Sequence, residues 1–320
     1  MNPHAYQPAV HRLAATTACV ALLPIVVGAI VTSLGAGMAF LDWPTSGGRN
    51  MLLYPWLSDM AVGRTDKVAE HGHRLAGIAI GLCSIALAGL LWRLETRGWV
   101  RMTGLLVLLS VIAQGVLGGM RVLANNPLMA MFHGSFAAVV FTLMAALALF
   151  TSRTWIESPR KYQDADAGWL KPLAVAAPLV LSIQYLLGGT LRHLGMNLNE
   201  HIAMGVLTFV VVVAAAVGAF LSGNRWLRRF SWRLSALVVL QVALGVGAFA
   251  TKFGFTSTGY VAVQRSVEQI VLRSSHTVVG ILLFMTSVLY ALCVFRLASG
   301  DTAGATPNAG SLSVDEGLLL

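Results

Sequence analysis

The chain has 320 residues, 57% of them hydrophobic and 11% charged, with a net charge of +9. A soluble domain of this composition could not cover its surface with polar groups, so an ordinary globular enzyme is excluded. The surplus of Lys and Arg is the loop chemistry of a membrane protein rather than the mark of a nucleic-acid partner.

Apolar runs long enough to cross a bilayer recur at about 13–36, 69–92, 102–123, 128–151, 168–190, 197–221, 232–251 and 269–297. They predict an all-α integral membrane protein with eight transmembrane helices. The first run lacks a small-residue cleavage site and is read as a retained span, not a signal peptide. Cys19, Cys83 and Cys293 all fall inside apolar runs, which leaves neither a disulfide framework nor a CxxC metal site. The tail 298–320, rich in Ser, Gly, Ala and Thr, reads as disordered.

Of the 22 Lys and Arg, 13 lie at the termini and in the even-numbered connections, most tightly in R-W-L-R-R-F-S-W-R at 225–233. That bias predicts cytoplasmic termini. A cytoplasmic linker at 152–167 then separates an N-terminal half, 1–151, from a C-terminal half, 168–297. Each half has four spans, so both cross in the same direction, as two parallel-repeat four-helix bundles. Span 3 ends Q-G-V-L-G-G-M-R (114–121), span 5 ends Q-Y-L-L-G-G-T-L-R (184–192), and span 7 holds Q-V-A-L-G-V-G (241–247). Such residues fit close helix packing in lipid.

Among eight histidines, His4 and His11 belong to the N-terminal arm and His193 to a loop. His73, His133, His201 and His276 stand near the starts of spans 2, 4, 6 and 8, at similar depth near the outer face. One turn on, each shares its face with a small residue: Gly77, Ala137, Gly205 and Gly280. A bare metal ion needs no such clearance, whereas a porphyrin does. Two histidine pairs thus suggest two haems, each held between helices of a four-helix bundle. Helix–helix hydrogen bonding is the alternative for any one of these histidines.

The stretch A-E-H-G-H-R-L-A-G at 69–77 sets the first pair apart. Glu70 precedes His73 by three residues, on nearly the same face, and no other member of the four has an acid at that offset. His71 is turned about 200° from His73 and is expected at the outer surface or lipid interface. Arg74, Arg121, Arg192, Arg265 and Arg273 lie near the outer ends. They suit haem propionates or equally a snorkelling interfacial set. The outer connections at about 37–67 and 251–268 are candidate lids.

These residues resemble the haem A synthases, the CtaA/Cox15 family. E-H-G-H-R matches its E-x-x-H-R motif, and Q-G-V-L-G-G-M-R-V-L, H-G-S-F-A, L-R-S-S-H-T-V-V-G and G-A-G-M-A-F-L-D-W-P-T-S-G-G are similar to family segments. The resemblance covers about 13–297. It implies an oxidoreductase of the cell inner membrane that converts the C8 methyl of haem O to a formyl group, giving haem A for cytochrome oxidase assembly. It implies haem b, with iron ligands His201 and His276, in the C-terminal half. His73 and His133 would face substrate haem O, with Glu70 the acid needed for oxidation. By position rather than by the resemblance, Arg74, Arg121, Arg192 and Arg273 are the candidate propionate partners. Implied partners are molecular oxygen or water, an electron-transfer partner, a haem O synthase, oxidase assembly factors and membrane lipid, with a homo-oligomer left open. No paired outer-loop cysteines are present, so no thiol-linked step is expected. A diheme b-type cytochrome passing electrons from quinol to a partner explains four histidines equally well but gives Glu70 no role. A haem-delivery protein without catalysis is a third reading.

Overall fold

The computed structural model describes residues 6–156 and 168–298, so the expected disordered tail and most of the linker lie outside the described residues. Among the described residues there is no strand, and eight helical stretches are long and apolar enough to cross a membrane. The protein is an all-α, multi-pass membrane protein. The first stretch, Pro8–Leu34, comprises α1 (Pro8–Val20) and α2 (Leu22–Leu34), which meet at Ala21. Pro24 lacks the N–H that would bond the Val20 carbonyl, and this loosens the ladder at the junction. A short helix, α3 (Trp56–Ala61), lies in the first long connection. Then come α4 (Thr65–Leu94), α5 (Gly98–Ala124), α6 (Pro127–Thr151), α7 (Lys171–Leu194), α8 (Leu198–Leu221), α9 (Arg225–Phe253) and α10 (Val267–Ala298).

Several helices begin earlier than hydropathy indicates. The basic block 225–233 is not a connection but the first turns of α9. Asn224 caps that helix by accepting from the Trp226 and Leu227 amides at 2.8 and 3.2 Å. Trp226, Leu227 and Phe230 then turn inward, so apolar and basic residues alternate around the helix. His11 sits within α1, its Nδ1 3.1 Å from the Ala148 carbonyl. His193 closes the last turn of α7 instead of standing in a loop.

Helices α1/α2, α4, α5 and α6 pack in a ring, and α7, α8, α9 and α10 in another; α2 and α6 meet α7 and α10 between them. The apolar cores lie at one end. In the first ring Val10, Ala14, Leu87, Leu91, Val107, Met144 and Leu147 fill it, and in the second Leu170, Val212, Leu227, Leu234, Tyr290 and Val294. The opposite end, where α4, α6, α8 and α10 begin, carries His73, His133, His201, His276 and Glu70.

Candidate functional site

At that end the four histidines meet in two pairs. The His73 and His133 ring centroids are 6.1 Å apart with planes at 89°, and those of His201 and His276 are 6.3 Å apart at 86°. Each pair joins diagonal helices of one ring, α4 with α6 and α8 with α10. Gln114 Nε2 donates to the His133 carbonyl at 2.9 Å, and Gln184 Nε2 to the His201 carbonyl at 3.0 Å. The Nδ1 of His73 donates to the Pro24 carbonyl at 2.9 Å, and that of His276 to the Gln241 carbonyl at 3.2 Å.

Each imidazole also lies on a glycine of the preceding membrane span. A Cβ added at Gly28, Gly118, Gly188 or Gly245 would stand 2.8, 2.7, 3.1 or 3.0 Å from the Cε1 of His73, His133, His201 or His276. Four residues before these glycines stand Pro24, Gln114, Gln184 and Gln241. The Gln and Gly residues read in sequence as generic helix packing are therefore the histidine cradles, and the Pro24–Gly28 member passed unrecognised because proline replaces glutamine. The clearance expected beside the histidines is partly taken. Gly77 has open space, whereas Gly205 and Gly280 face Gln184 Nε2 and Gln241 Nε2 at 3.3 and 3.1 Å from an added Cβ.

The first pair lies beneath the connection 35–64, whose anchor is the stretch E-H-G-H-R. Glu70 is 1% exposed. Its Oε2 accepts from the Ala39 and Phe40 amides at 2.7 and 3.2 Å, and its Oε1 from Arg74 at 2.8 Å. Arg74 also donates to the Asp42 and Thr45 carbonyls at 2.9 and 2.7 Å. His71 is not at the surface, as helical spacing suggested, but 1% exposed among Phe40, Tyr54 and Trp56, with Ser46 Oγ 3.3 Å from its Nδ1. The chain folds back over α4, so the face turned from His73 is roofed. Trp43 presses on Gly119, and Arg121 donates to the Gly37 carbonyl at 2.8 Å. The second connection is held by a neutral side chain. Gln269 donates to the Thr251 carbonyl at 2.7 Å and accepts from the Arg265 amide at 2.9 Å.

Arg192 joins the rings, donating to the Ala29 carbonyl, Ser33 Oγ and Thr277 Oγ1 at 2.7, 3.0 and 2.8 Å. Among the described residues the ion pairs are Arg64–Asp59, Arg74–Glu70 and Arg97–Glu95. Arg121, Arg192, Arg265 and Arg273 thus have no carboxylate partner there, while Arg74 is committed to Glu70 and the connection.

The family model described as COX15-CtaA, cytochrome oxidase assembly protein, matches residues 11–199, more than half of the chain. The chain belongs to the COX15-CtaA family. No curated protein matches it. The COX15-CtaA match takes in Glu70, His73, His133 and Arg192 and stops just short of His201, so the second pair stands on geometry.

That geometry fits the haem this family is linked to. Two metal–imidazole bonds of about 2.0–2.1 Å, the length zinc shows, put the ring centroids about 6 Å apart across one metal, the spacing of both pairs. Among the described residues no three or more His, Cys, Asp or Glu gather as ligands for an ion. A pair suffices when a porphyrin supplies the remaining nitrogens. Nδ1 of His73 and His276 is anchored on carbonyls, which leaves Nε2 for iron. At His276 ligation would displace a long 3.4 Å contact from Gln241 Nε2. The Oε1 atoms of Gln114, Gln184 and Gln241 and the Nδ1 atoms of His133 and His201 are buried with no hydrogen-bond partner. Polar atoms in that state call for a further partner or a shift of the ring on loading.

Proposed function

We propose that this chain is a haem A synthase of the cell inner membrane, oxidising the C8 methyl of haem O to a formyl group for cytochrome oxidase. The observation that carries the reading is the inequality of two otherwise matched sites. Both pairs are spaced so that their two imidazoles would hold one iron, but only His73–His133 lies under a connection fastened by a buried carboxylate. A diheme electron-transfer cytochrome needs no such difference.

In this reading the N-terminal half, 1–151, takes haem O between His73 and His133, with Glu70 serving the oxidation. The C-terminal half, 168–297, is its parallel repeat and holds haem b between His201 and His276, and bound haem b supplies one-electron chemistry. Arg121, Arg192 and Arg273, which have no ion-pair partner among the described residues, suit the propionates, since a guanidinium at this depth calls for an anion. Arg74 is better explained by the connection it holds. The burial of Glu70, His71 and Phe40 supports exclusion of water from the reacting edge, and the basic first turns of α9 support cytoplasmic termini. An electron acceptor and an oxygen source come from outside the chain.

The test is extraction and chromatography of haems from cells making this chain together with a haem O synthase. Haem A should appear and be lost in His73→Ala and Glu70→Ala. A red protein with two b-type haems and no haem A would replace this reading with the cytochrome.

A further inference from the structure

We infer that Glu70 is a positioning residue whose task is to fasten the connection 35–50 over the His73–His133 pair. This rests on the haem A synthase reading and specifies how its one buried acid acts. Both oxygens of Glu70 are engaged, Oε2 by two amides of the connection and Oε1 by Arg74. Arg74 extends the same fastening through the Asp42 and Thr45 carbonyls and Ser46 Oγ, the last at 3.3 Å. One i,i+4 pair on α4 thus binds both strands of the bend between Ala39 and Ser46.

The bend is aimed at the site. Trp43, between those anchors, packs on Gly119, the neighbour of the Gly118 that cradles His133. Arg121, two residues further along α5, reaches back to the Gly37 carbonyl. The connection therefore touches α5, which cradles His133, through Trp43 and Arg121, and α4, which carries His73, through Glu70 and Arg74. Three of the roughly four acceptor positions of the Glu70 carboxylate are taken by Ala39, Phe40 and Arg74, which is the geometry of a group that holds a loop. In the second connection the buried anchor is neutral Gln269, and the charged side chains that bond across it, Lys252 to Gln264 and Glu268 with Tyr260, are exposed. Of the two long outer connections, the one with a buried charged clasp is thus the one over the pair proposed to take substrate, where the cover must open for exchange and close for reaction.

Hydrogen exchange of the full-length protein, read on peptides spanning 35–50, is to be set beside haem O conversion kinetics for wild type, Glu70→Gln and Trp43→Ala. Glu70→Gln removes the charge from the clasp, and exchange in 35–50 should quicken on the order of tenfold, as loss of a charge-assisted hydrogen bond implies. Conversion should fall while the residual activity keeps the wild-type pH profile. Trp43→Ala leaves every carboxylate in place and should give the same joint pattern. Arg74→Lys should give it more weakly, and serves if Glu70→Gln does not fold. Conversion lost in Glu70→Gln with exchange unchanged would overturn the inference in favour of direct proton handling. Equal loosening in Trp43→Ala with conversion intact would overturn it too. Failure of the wild type to make haem A would instead remove the synthase reading, and the exchange data would still decide whether Glu70 fastens the loop.

Discussion

Gly118 lies so close beneath His133 that a Cβ there would stand 2.7 Å from the ring's Cε1. Gly28 stands in the same relation to His73 at 2.8 Å, while Gly188 and Gly245 leave 3.1 and 3.0 Å. Alanine at the first two positions must push the imidazole aside, whereas the second pair can give by a few tenths of an ångström. Gly118→Ala and Gly28→Ala are therefore expected to cut conversion by tenfold or more, about what a misplacement under 1 Å costs. Gly188→Ala and Gly245→Ala should keep most of their bound haem. Kinetics and the absorbance of retained haem check both statements.

The two pairs should also separate by mutation. His201→Ala or His276→Ala should strip the stably retained haem, because one axial imidazole is lost from the cofactor pair. His73→Ala should leave that haem in place and block conversion. Pyridine haemochrome content beside haem A yield measures the split. The reverse pattern would exchange the roles of the halves.

The helices were legible because apolar length is a one-dimensional signal, and the histidine pairs because each even-numbered span carries one histidine near its start, at a common depth, two in each half. Helix starts were not, since the cap at Asn224 and the amphipathic turns at 225–233 do not register as hydropathy. His71 shows the limit of helical geometry. Its angle from His73 was right, but its burial is set by Phe40, Tyr54 and Trp56, which arrive from a connection that folds back over α4. Glu70 was found by its offset from His73, while its bonds to Ala39 and Phe40 depend on that same return of the chain. The spacing of Gln114 to Gly118 was visible in sequence, but nothing local told a histidine cradle from a helix–helix contact.

Acid should reach the first connection only late. Burial pushes the Asp42 carboxyl up, but the Thr45 hydroxyl and the Gly48 and Gly47 amides outweigh it and bring the pKa down to about 2. A group depressed below its unfolded value of about 3.9 contributes stability that is complete above that value and fades as pH falls toward the folded one. The turn 42–48 should thus hold its exchange protection at pH 5 and lose this contribution between about pH 4 and 2. Asp42→Asn should remove the dependence in that window. Pulsed exchange on the peptide across 42–48 measures it.

Arg192 offers the sharpest test of how the two rings are joined. Its guanidinium reaches Ala29 and Ser33 on α2 and Thr277 on α10, beside a 2.9 Å contact between Ser33 Oγ and Ser274 Oγ. Arg192→Leu keeps apolar bulk but removes the charged donor, leaving Ala29, Ser33 and Thr277 only their contacts with Ser33, Ser274 and Arg273, at a cost of about 1.5–3 kcal/mol for a lost bond to a charged group. Arg192→Lys keeps the charge but not the fork, and one ammonium cannot serve both helices at once. Both variants are expected to lower the midpoint of thermal unfolding in detergent, the leucine more. If Arg192 also binds a propionate, haem retention should fall further than the unfolding shift alone accounts for. Ser274→Ala weakens the same seam without removing a cation. It should lower the midpoint slightly and leave retention unchanged, so the pair of variants separates the structural share of Arg192 from its share in binding.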